Sequence, residues 1–187
     1  MNIYLFSLKR FDKKCILIFQ IISTIFIIIL GTILHFTFQW SNQNSLVGAF
    51  SAVNESTWEH LKLLFFPMLI TIVVGYFYIG KDIPNFLCAK TIGIIVALLF
   101  TVIFFYTYTG ILGINFAFLN ILTFIFSAIL GEYIAYRIMV SNLECNNNIS
   151  IIFLILLFLS FIIFTYYPPK IGLFKDPISN KYGIKNI

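Results

Sequence analysis

The amino-acid sequence predicts an all-α integral membrane protein with about five transmembrane helices. Of its 187 residues, 60% are hydrophobic and only 10% are charged, and the mean hydropathy is +1.00. These values lie outside the range of soluble domains. The excess of 12 Lys and Arg over 7 Asp and Glu does not indicate nucleic acid binding, because the basic residues flank apolar segments, where they determine topology. The expected partner is therefore the lipid bilayer, with no nucleic acid.

The first apolar span follows four basic residues and has no charged side chain between Ile16 and His35. It is too long for the apolar region of a signal peptide, so an uncleaved anchor is expected. Four further spans of comparable length follow, close to the roughly 20 residues that a crossing helix needs. The whole chain is predicted to form one membrane domain, residues 1–187, with spans at about residues 15–38, 63–79, 91–108, 115–139 and 149–167.

Two segments outside these spans are too apolar to be solvated loops. Residues 41–62 contain a mildly apolar piece, Ser45 to Val53, which is about half the length of a crossing and predicts an interfacial or re-entrant segment. The tail, residues 168–187, begins with two prolines and carries several apolar side chains. It is expected to fold back over the helix ends, either as a peripheral anchor or as a lid over a site.

The basic residues predict the orientation of a multi-pass protein in a cell membrane. With a cytoplasmic amino terminus, seven Lys and Arg, including Lys90, lie on the cytoplasmic side and five, including Lys62, on the other. Four of the seven precede the first span, whose flanking charges usually dominate orientation. The carboxyl terminus is then extracytoplasmic. Cys15, Cys88 and Cys145 fall on the reducing side and are expected to be free thiols, since their number and spacing suit neither a disulfide framework nor a metal site.

The most polar stretch is the motif Asn54–Lys62, directly ahead of the apolar run that ends in Pro67. These residues resemble the signature of a family of small bacterial integral membrane proteins classed as a domain of unknown function. The tail is similar to the carboxyl end of the same family at Tyr167–Lys170, Leu173–Pro177 and Tyr182–Gly183. The resemblance covers nearly the whole chain. It implies a small polytopic protein of a bacterial cell membrane and no assigned activity.

Part of the motif matches a helix cap. Ser56 to Glu59 has the capping-box pattern, in which the Ser56 hydroxyl accepts from the Glu59 N–H and the Glu59 carboxylate accepts from the Ser56 N–H. Trp58 would then be an interfacial anchor, and Lys62 would extend its ammonium to the membrane surface. A cap leaves three polar residues of the motif unexplained: Asn54, Glu55 and His60.

These remaining residues favour a functional interpretation of the motif. A helix that began as early as Asn54 would place Glu55, Glu59 and Lys62 on one face, as an acid/base pair or as a salt-bridged surface. The catalytic candidates are Glu55, Glu59 and His60. The residues expected to bind a ligand are Asn54, Trp58, Lys62 and Asp176.

The two histidines, His35 and His60, are both predicted to lie near the outer surface. Joined by Glu59, or by Glu55, and with Asp176 as a fourth ligand, they would suit zinc or another divalent metal that holds an activated water. The spacing argues against this site, because Glu55 and His60 are five residues apart, off the one-turn register of helical metal motifs.

Glu132 is a separate candidate, because an ionisable residue inside a span is a functional hypothesis by default. Gln20 of the first span is expected at a similar depth, and Tyr136 follows Glu132 by one helical turn. A hydrogen-bonded structural role and a proton relay are both compatible with these positions.

The sequence leaves three classes of function. A membrane hydrolase or transferase acting on a lipid-linked or interfacial substrate would use Glu55 or Glu59 as general base, with His60 as acid or ligand. Lys62 or Asn54 would hold an anionic intermediate. A small carrier would need polar residues near the membrane midplane, and no internal repeat is evident. A structural or partner subunit would use the motif for capping and protein contacts. We expect a polar site at the outer face that binds a metal, a lipid or a small molecule.

Overall fold

The computed structural model describes residues 12–184, and five of its helices are long and apolar enough to cross a membrane. Successive helices run in opposite directions, and no residue in this range belongs to a β-strand. The predicted fold class, an all-α integral membrane protein, is confirmed. The five helices are α1 (Lys13–Trp40), α2 (Thr57–Tyr78), α3 (Phe86–Leu112), α4 (Ala117–Met139) and α5 (Asn147–Tyr166).

The connections between helices gather at two ends of the bundle. We call one the motif end, which holds residues 41–56, 113–116 and 167–184. The opposite end holds residues 79–85 and 140–146. Short helical turns lie within these connections at Ser45–Gly48, Gly80–Asp82 and Gly172–Phe174.

Helix α2 begins at Thr57, rather than near Leu63, because Ser56 caps it. The Ser56 hydroxyl accepts a hydrogen bond from the Glu59 N–H at 3.4 Å, as the capping-box pattern predicts. The reciprocal bond does not form. The Glu59 carboxylate accepts from the Val53 N–H at 3.1 Å, and the Ser56 N–H donates to the Asn54 side chain at 2.9 Å. The motif therefore forms one of the two hydrogen bonds of a capping box. Its residues from Thr57 to Lys62 lie inside the helix.

Helices α3 and α4 pack closely because glycines face each other. A Cβ built on Gly93 would lie 2.6 Å from the Gly131 carbonyl oxygen, and one built on Gly131 would lie 2.7 Å from the Gly93 carbonyl oxygen. Small residues at such a crossing let the backbones approach within a membrane. Helix α3 begins at Phe86, so that Lys90, predicted to precede its span, lies one turn inside it.

The connection between α1 and α2 and the carboxyl-terminal tail fold against each other at the motif end. Ser51, Ala52 and Val53 are buried. The tail returns over the bundle and buries Phe174 against Trp58, with ring centroids 4.7 Å apart. The tail is thus part of the fold, and its three last residues lie outside the described range.

Two lysines that the charge count assigned to loops are buried inside the bundle. Lys62 is 0% exposed and Lys90 is 1% exposed. The prediction that Lys62 extends to the membrane surface was wrong, because its ammonium has acidic and polar partners within the protein. Without these two residues, the prediction places six Lys and Arg on the cytoplasmic side and four on the other. The count therefore still favours a cytoplasmic amino terminus.

The prediction of three free thiols was also wrong, because Cys88 and Cys145 form a disulfide. It joins the first turn of α3 to the connection between α4 and α5, across 57 residues of sequence. Spacing alone could not reveal this pair, since the two positions become adjacent only after α3 and α4 have packed. Disulfides persist in oxidising compartments and are rare in the cytosol. The disulfide and the basic residues therefore favour opposite orientations.

From the basic residues, we expect a cytoplasmic amino terminus and an extracytoplasmic motif end. A cysteine replacing Ile178, which is exposed in the tail, should react with a membrane-impermeant maleimide on intact cells when Cys15 is changed to Ser. A matched cysteine replacing Asn148, exposed at the start of α5, should react only after cell disruption. The reverse pattern would contradict this orientation and would place the disulfide in the oxidising compartment.

Candidate functional site

The polar side chains of the motif point to two different sides of α2. Glu59 and Lys62 are three residues apart and share one side of the helix. His60 follows Glu59 directly and is therefore turned by about 100°. Glu55 precedes the helix and contacts His60, with 3.4 Å between Glu55 Oε2 and His60 Nε2. The single face of Glu55, Glu59 and Lys62 expected from an earlier helix start does not form.

Glu59 and Lys62 form an ion pair in the interior of the protein. The distance from Lys62 Nζ to Glu59 Oε2 is 2.5 Å, and the side chains are 0% and 2% exposed, respectively. The ammonium also donates to the Gly48 carbonyl at 2.8 Å and to the Thr165 hydroxyl at 2.9 Å. An ammonium has three N–H donors, and all three are used. Such complete pairing is what makes a buried charge tolerable.

This ion pair ties three parts of the chain together. Lys62 reaches the short helical turn at Gly48, Glu59 accepts from the Val53 N–H, and both side chains contact Thr165 in the last turn of α5. Neither charge is exposed to solvent. The structure therefore gives Glu59 and Lys62 structural contacts, and Glu59 lies on a different side of α2 from His60.

Glu55 and His60 lie on the other side of α2 and are half-buried. His60 Nδ1 is 2.9 Å from the Ser56 carbonyl oxygen. Because a carbonyl can only accept, Nδ1 carries the hydrogen and Nε2 faces Glu55. The hydrogen bond with His60 is the largest cause that lowers the pKa of Glu55 below its ordinary value, against the opposing effect of burial. The Glu55 carboxylate is therefore ionised at neutral pH.

His35 of α1 completes a cluster with these two residues. Its ring centroid is 5.3 Å from that of His60, and its buried Nδ1 has no hydrogen-bond partner within residues 12–184. One potential ligand atom from each of His35, Glu55 and His60 lies within 4.8 Å of the other two. Two imidazoles and a carboxylate, the donor types expected of a divalent metal site, thus come together from α1, the loop and α2.

The cluster borders a cavity at the motif end. A cavity of about 350 Å³ between α1, α2 and α4 is lined by His35, Glu55 and His60 together with Asn120 and Phe124. A second, of about 90 Å³, shares Glu55, His60, Asn120 and Phe124 and extends towards Thr101 of α3. The volume of the first cavity lies at the lower end of the range of small-molecule sites, which likewise have apolar walls and a few convergent polar groups.

Asn120 is held in place by a polar group that sequence reasoning did not assign to a site. Tyr108 of α3 donates its hydroxyl to the side-chain oxygens of both Asn115 and Asn120, and the Asn120 amide donates to Asn115 at 2.7 Å. The only sequence signal was the position of Tyr108, Asn115 and Asn120 close to the short connection at residues 113–116. These bonds fix the orientation of Asn120 beside the cavity.

The other predicted ligand-binding residues hold the tail. Asn54 donates to the Gly183 carbonyl at 3.1 Å. Trp58 packs against Phe161 and Phe174, with centroid separations of 4.6 and 4.7 Å. Asp176 is buried in a turn of the tail, where it accepts from the Ile178 N–H at 3.0 Å and from the Ser179 hydroxyl. None of the three belongs to the histidine cluster.

The intramembrane candidates Glu132 and Gln20 do share one site, through a residue that sequence reasoning missed. Lys90 donates to Glu132 at 2.5 Å, to Gln20 at 2.9 Å and to Thr71 at 3.4 Å. Lys90 and Glu132 are both 1% exposed. The sequence signal for this position of Lys90 was Pro84-Asn85, a pattern typical of a helix start. It begins α3 four residues before Lys90, so Lys90 lies within the helix. This second ion pair joins four helices in the half of the bundle away from the motif.

Comparison with known proteins adds the family but no activity. A family model described as a family of unknown function, DUF6512, matches residues 7–184. No curated protein and no solved structure gives a significant match to the chain.

The two sides of α2 should respond differently to neutralisation. Glu59→Gln leaves the Lys62 ammonium buried without a counter-ion, which should destabilise the protein by about 3–5 kcal/mol. Glu55→Gln, on the half-buried side, should cost no more than about 1 kcal/mol. Denaturant unfolding in detergent micelles measures both.

The double variant Glu59→Gln/Lys62→Met supplies the control for this experiment. Removing both charges should recover most of the lost stability, because no unpaired charge remains buried and the glutamine side chain can still accept from the Val53 N–H. A double variant no more stable than Glu59→Gln alone would show that the ion pair is not the source of the effect.

Proposed function

The chain belongs to the family of unknown function DUF6512, and because the family carries no assigned activity, we propose a function from the geometry alone. The protein binds a divalent metal ion, of which zinc suits the donors best, between His35, Glu55 and His60. The observation that carries this proposal is the approach of the three ligand atoms to within 4.8 Å of one another.

The donor set supports zinc in particular. Two imidazoles and one carboxylate are a usual protein ligand set of zinc sites that keep an open fourth position. At zinc–ligand distances near 2.05 Å, tetrahedral ligands lie about 3.4 Å apart. The Glu55–His60 separation of 3.4 Å already matches this value. The remaining separations require a contraction of roughly 1.4 Å at most, which rotation of the His35 side chain can supply.

A second contact supports His60 as a ligand. Metal-binding histidines usually donate their other ring N–H to a carbonyl or carboxylate, which fixes the tautomer and the ring orientation. The Ser56 carbonyl does this for His60 Nδ1, so Nε2 can bind the ion in exchange for the proton that it donates to Glu55. The capping of α2 at Ser56 therefore also orients the ligand.

His35, Glu55 and His60 line the same cavity as Asn120 and Phe124, so the open position of an ion held by these three residues would face that cavity. A divalent ion there would supply a Lewis acid and a water of lowered pKa. Asn120, held by Tyr108, is placed to orient a polar group of a bound molecule. If the protein is a hydrolase or transferase, Glu55 and His60 act as metal ligands rather than as general base and acid, and Glu59 and Lys62 maintain the fold. We propose that the site lies at the extracytoplasmic face of a cell membrane.

The alternative function, a structural or partner subunit, accounts for the other half of the motif. Asn54, Trp58, Glu59 and Lys62 all make internal contacts that hold the loop, α5 and the tail. It does not account for His35, whose buried Nδ1 has no hydrogen-bond partner in the described part of the chain. A carrier is less well supported, because Lys90 and Glu132 are sealed from solvent.

Metal content tests the proposal. Purified protein reconstituted with Zn²⁺ should retain one ion per chain after desalting, measured by mass spectrometry of the metal. Its Co²⁺ form should show the intense visible absorption of a four-coordinate site. His35→Ala, His60→Ala and Glu55→Gln should each lose most of the bound ion while remaining folded, because each removes one of three protein ligands.

Glu144→Gln is the matched control, since Glu144 is an exposed carboxylate at the opposite end and its loss should leave metal content unchanged. A folded wild-type protein that retains no Zn²⁺ or Co²⁺ would overturn the proposal and leave Glu55 and His60 as an ion pair.

A further inference from the structure

The cavity beside the histidine cluster opens sideways between α1 and α4. On α4, Ala117, Asn120, Ile121 and Phe124 line it, at the i, i+3, i+4, i+7 spacing of one helix face, so the lining extends about 10 Å along the helix. Phe36 of α1 and Ile121 of α4 line the cavity and are 42% and 58% exposed, so the cavity opens between these two helices. Since both helices are long and apolar enough to cross a membrane, this opening faces the bilayer.

The inner boundary of the cavity is defined by a close contact between helices. A Cβ built on Gly31 would lie 2.4 Å from the Leu63 carbonyl oxygen and 2.6 Å from the Phe124 ring. Helices α1, α2 and α4 therefore meet at this level. From Gly31 to His35 is about 6 Å along α1, so the cavity covers only the shallow part of the membrane-spanning region.

The ionisable side chains of the wall lie at one end of this short distance, and apart from Thr32 the residues at the inner end are apolar. His35, Glu55, His60 and Asn120 lie towards the motif end, whereas Phe124 and Leu63 lie at the inner boundary beside Gly31. A ligand that matches this gradient has a polar group attached directly to a hydrocarbon chain. The ester or carboxyl region of a lipid has this arrangement, at about the depth where the headgroup layer meets the acyl chains.

We infer that the cavity binds an acyl lipid, which reaches it sideways from the bilayer through the opening between α1 and α4. The carbonyl or carboxyl oxygens lie at the His35, Glu55 and His60 cluster, beside Asn120. The first methylene groups pack against Phe36, Ile121 and Phe124. The inference rests on the proposed metal site in one respect only, namely whether a bound metal ion or the side chains themselves hold the oxygens of the lipid.

Photolabelling in detergent micelles tests the inference with two probes, a fatty acid and a phosphatidylcholine, each carrying a diazirine close to the carbonyl. Peptide mapping should find adducts on the cavity-lining parts of α1 and α4, around Phe36 and Phe124. The labelling should saturate with probe concentration and fall when the same lipid without the diazirine is added. The probe that labels in this way shows whether the source is a free acid or a phospholipid.

Two tryptophan variants supply the specificity control. Ile121→Trp fills the opening and should lose most of the saturable labelling. Ile129→Trp introduces the same side chain two turns along α4, at a residue 45% exposed, and should retain it. Unsaturable labelling spread over all bilayer-facing helices, unchanged by the competitor and by Ile121→Trp, would overturn the inference.

Zn²⁺ content measured on the same samples separates the two proposals. Retained Zn²⁺ with only diffuse labelling would reject the lipid inference and leave the metal site standing. Saturable labelling of a protein that retains no Zn²⁺ would reject the metal site alone, and the lipid inference would stand.

Discussion

The buried ion pair between Lys62 and Glu59 is the interaction on which the motif end depends. A charge removed from water is stable only when its partners are complete, and here they come from distant parts of the chain. Gly48 and Val53 belong to the loop, and Thr165 belongs to the last turn of α5. Satisfying one ammonium and one carboxylate thus fixes the loop against two helices, and the loop in turn carries Glu55 to its place beside His60.

The motif residues fall into two groups because a helix separates adjacent residues. Glu59 faces the interior, and His60, one residue later, faces the cavity, since each step turns the chain by about 100°. Ser56 serves both sides: its hydroxyl accepts from the Glu59 N–H at the helix start, and its carbonyl orients the His60 ring. The residues with structural contacts and the proposed metal ligands are therefore different residues within the same nine.

The sequence could predict the number of spans, the folded-back tail and the position of the polar motif, because hydropathy and helix capping are local properties. It could not predict the fate of Lys62 and Lys90. A lysine next to an apolar run is ordinarily a surface charge, and the residues that bury these two lie as far as 103 positions away. The Cys88–Cys145 pair was missed for the same reason. The predicted topology alone placed His35 near His60. That Glu55, rather than Glu59, contacts His60 depends on the exact start of α2, which the sequence did not determine.

The two buried ion pairs differ in a way that bears on how the chain is assembled. Lys62 has its acid three residues away, so α2 carries both charges into the bilayer as a neutral unit. Lys90 and Glu132 belong to different helices, and an unpaired charge within a span is costly, up to about 2.5–3.5 kcal/mol on insertion scales for a residue at the helix centre. The short connection of residues 113–116 and the facing glycines Gly93 and Gly131 allow the two to meet at once. Helices α3 and α4 should therefore leave the insertion machinery together, as a hairpin.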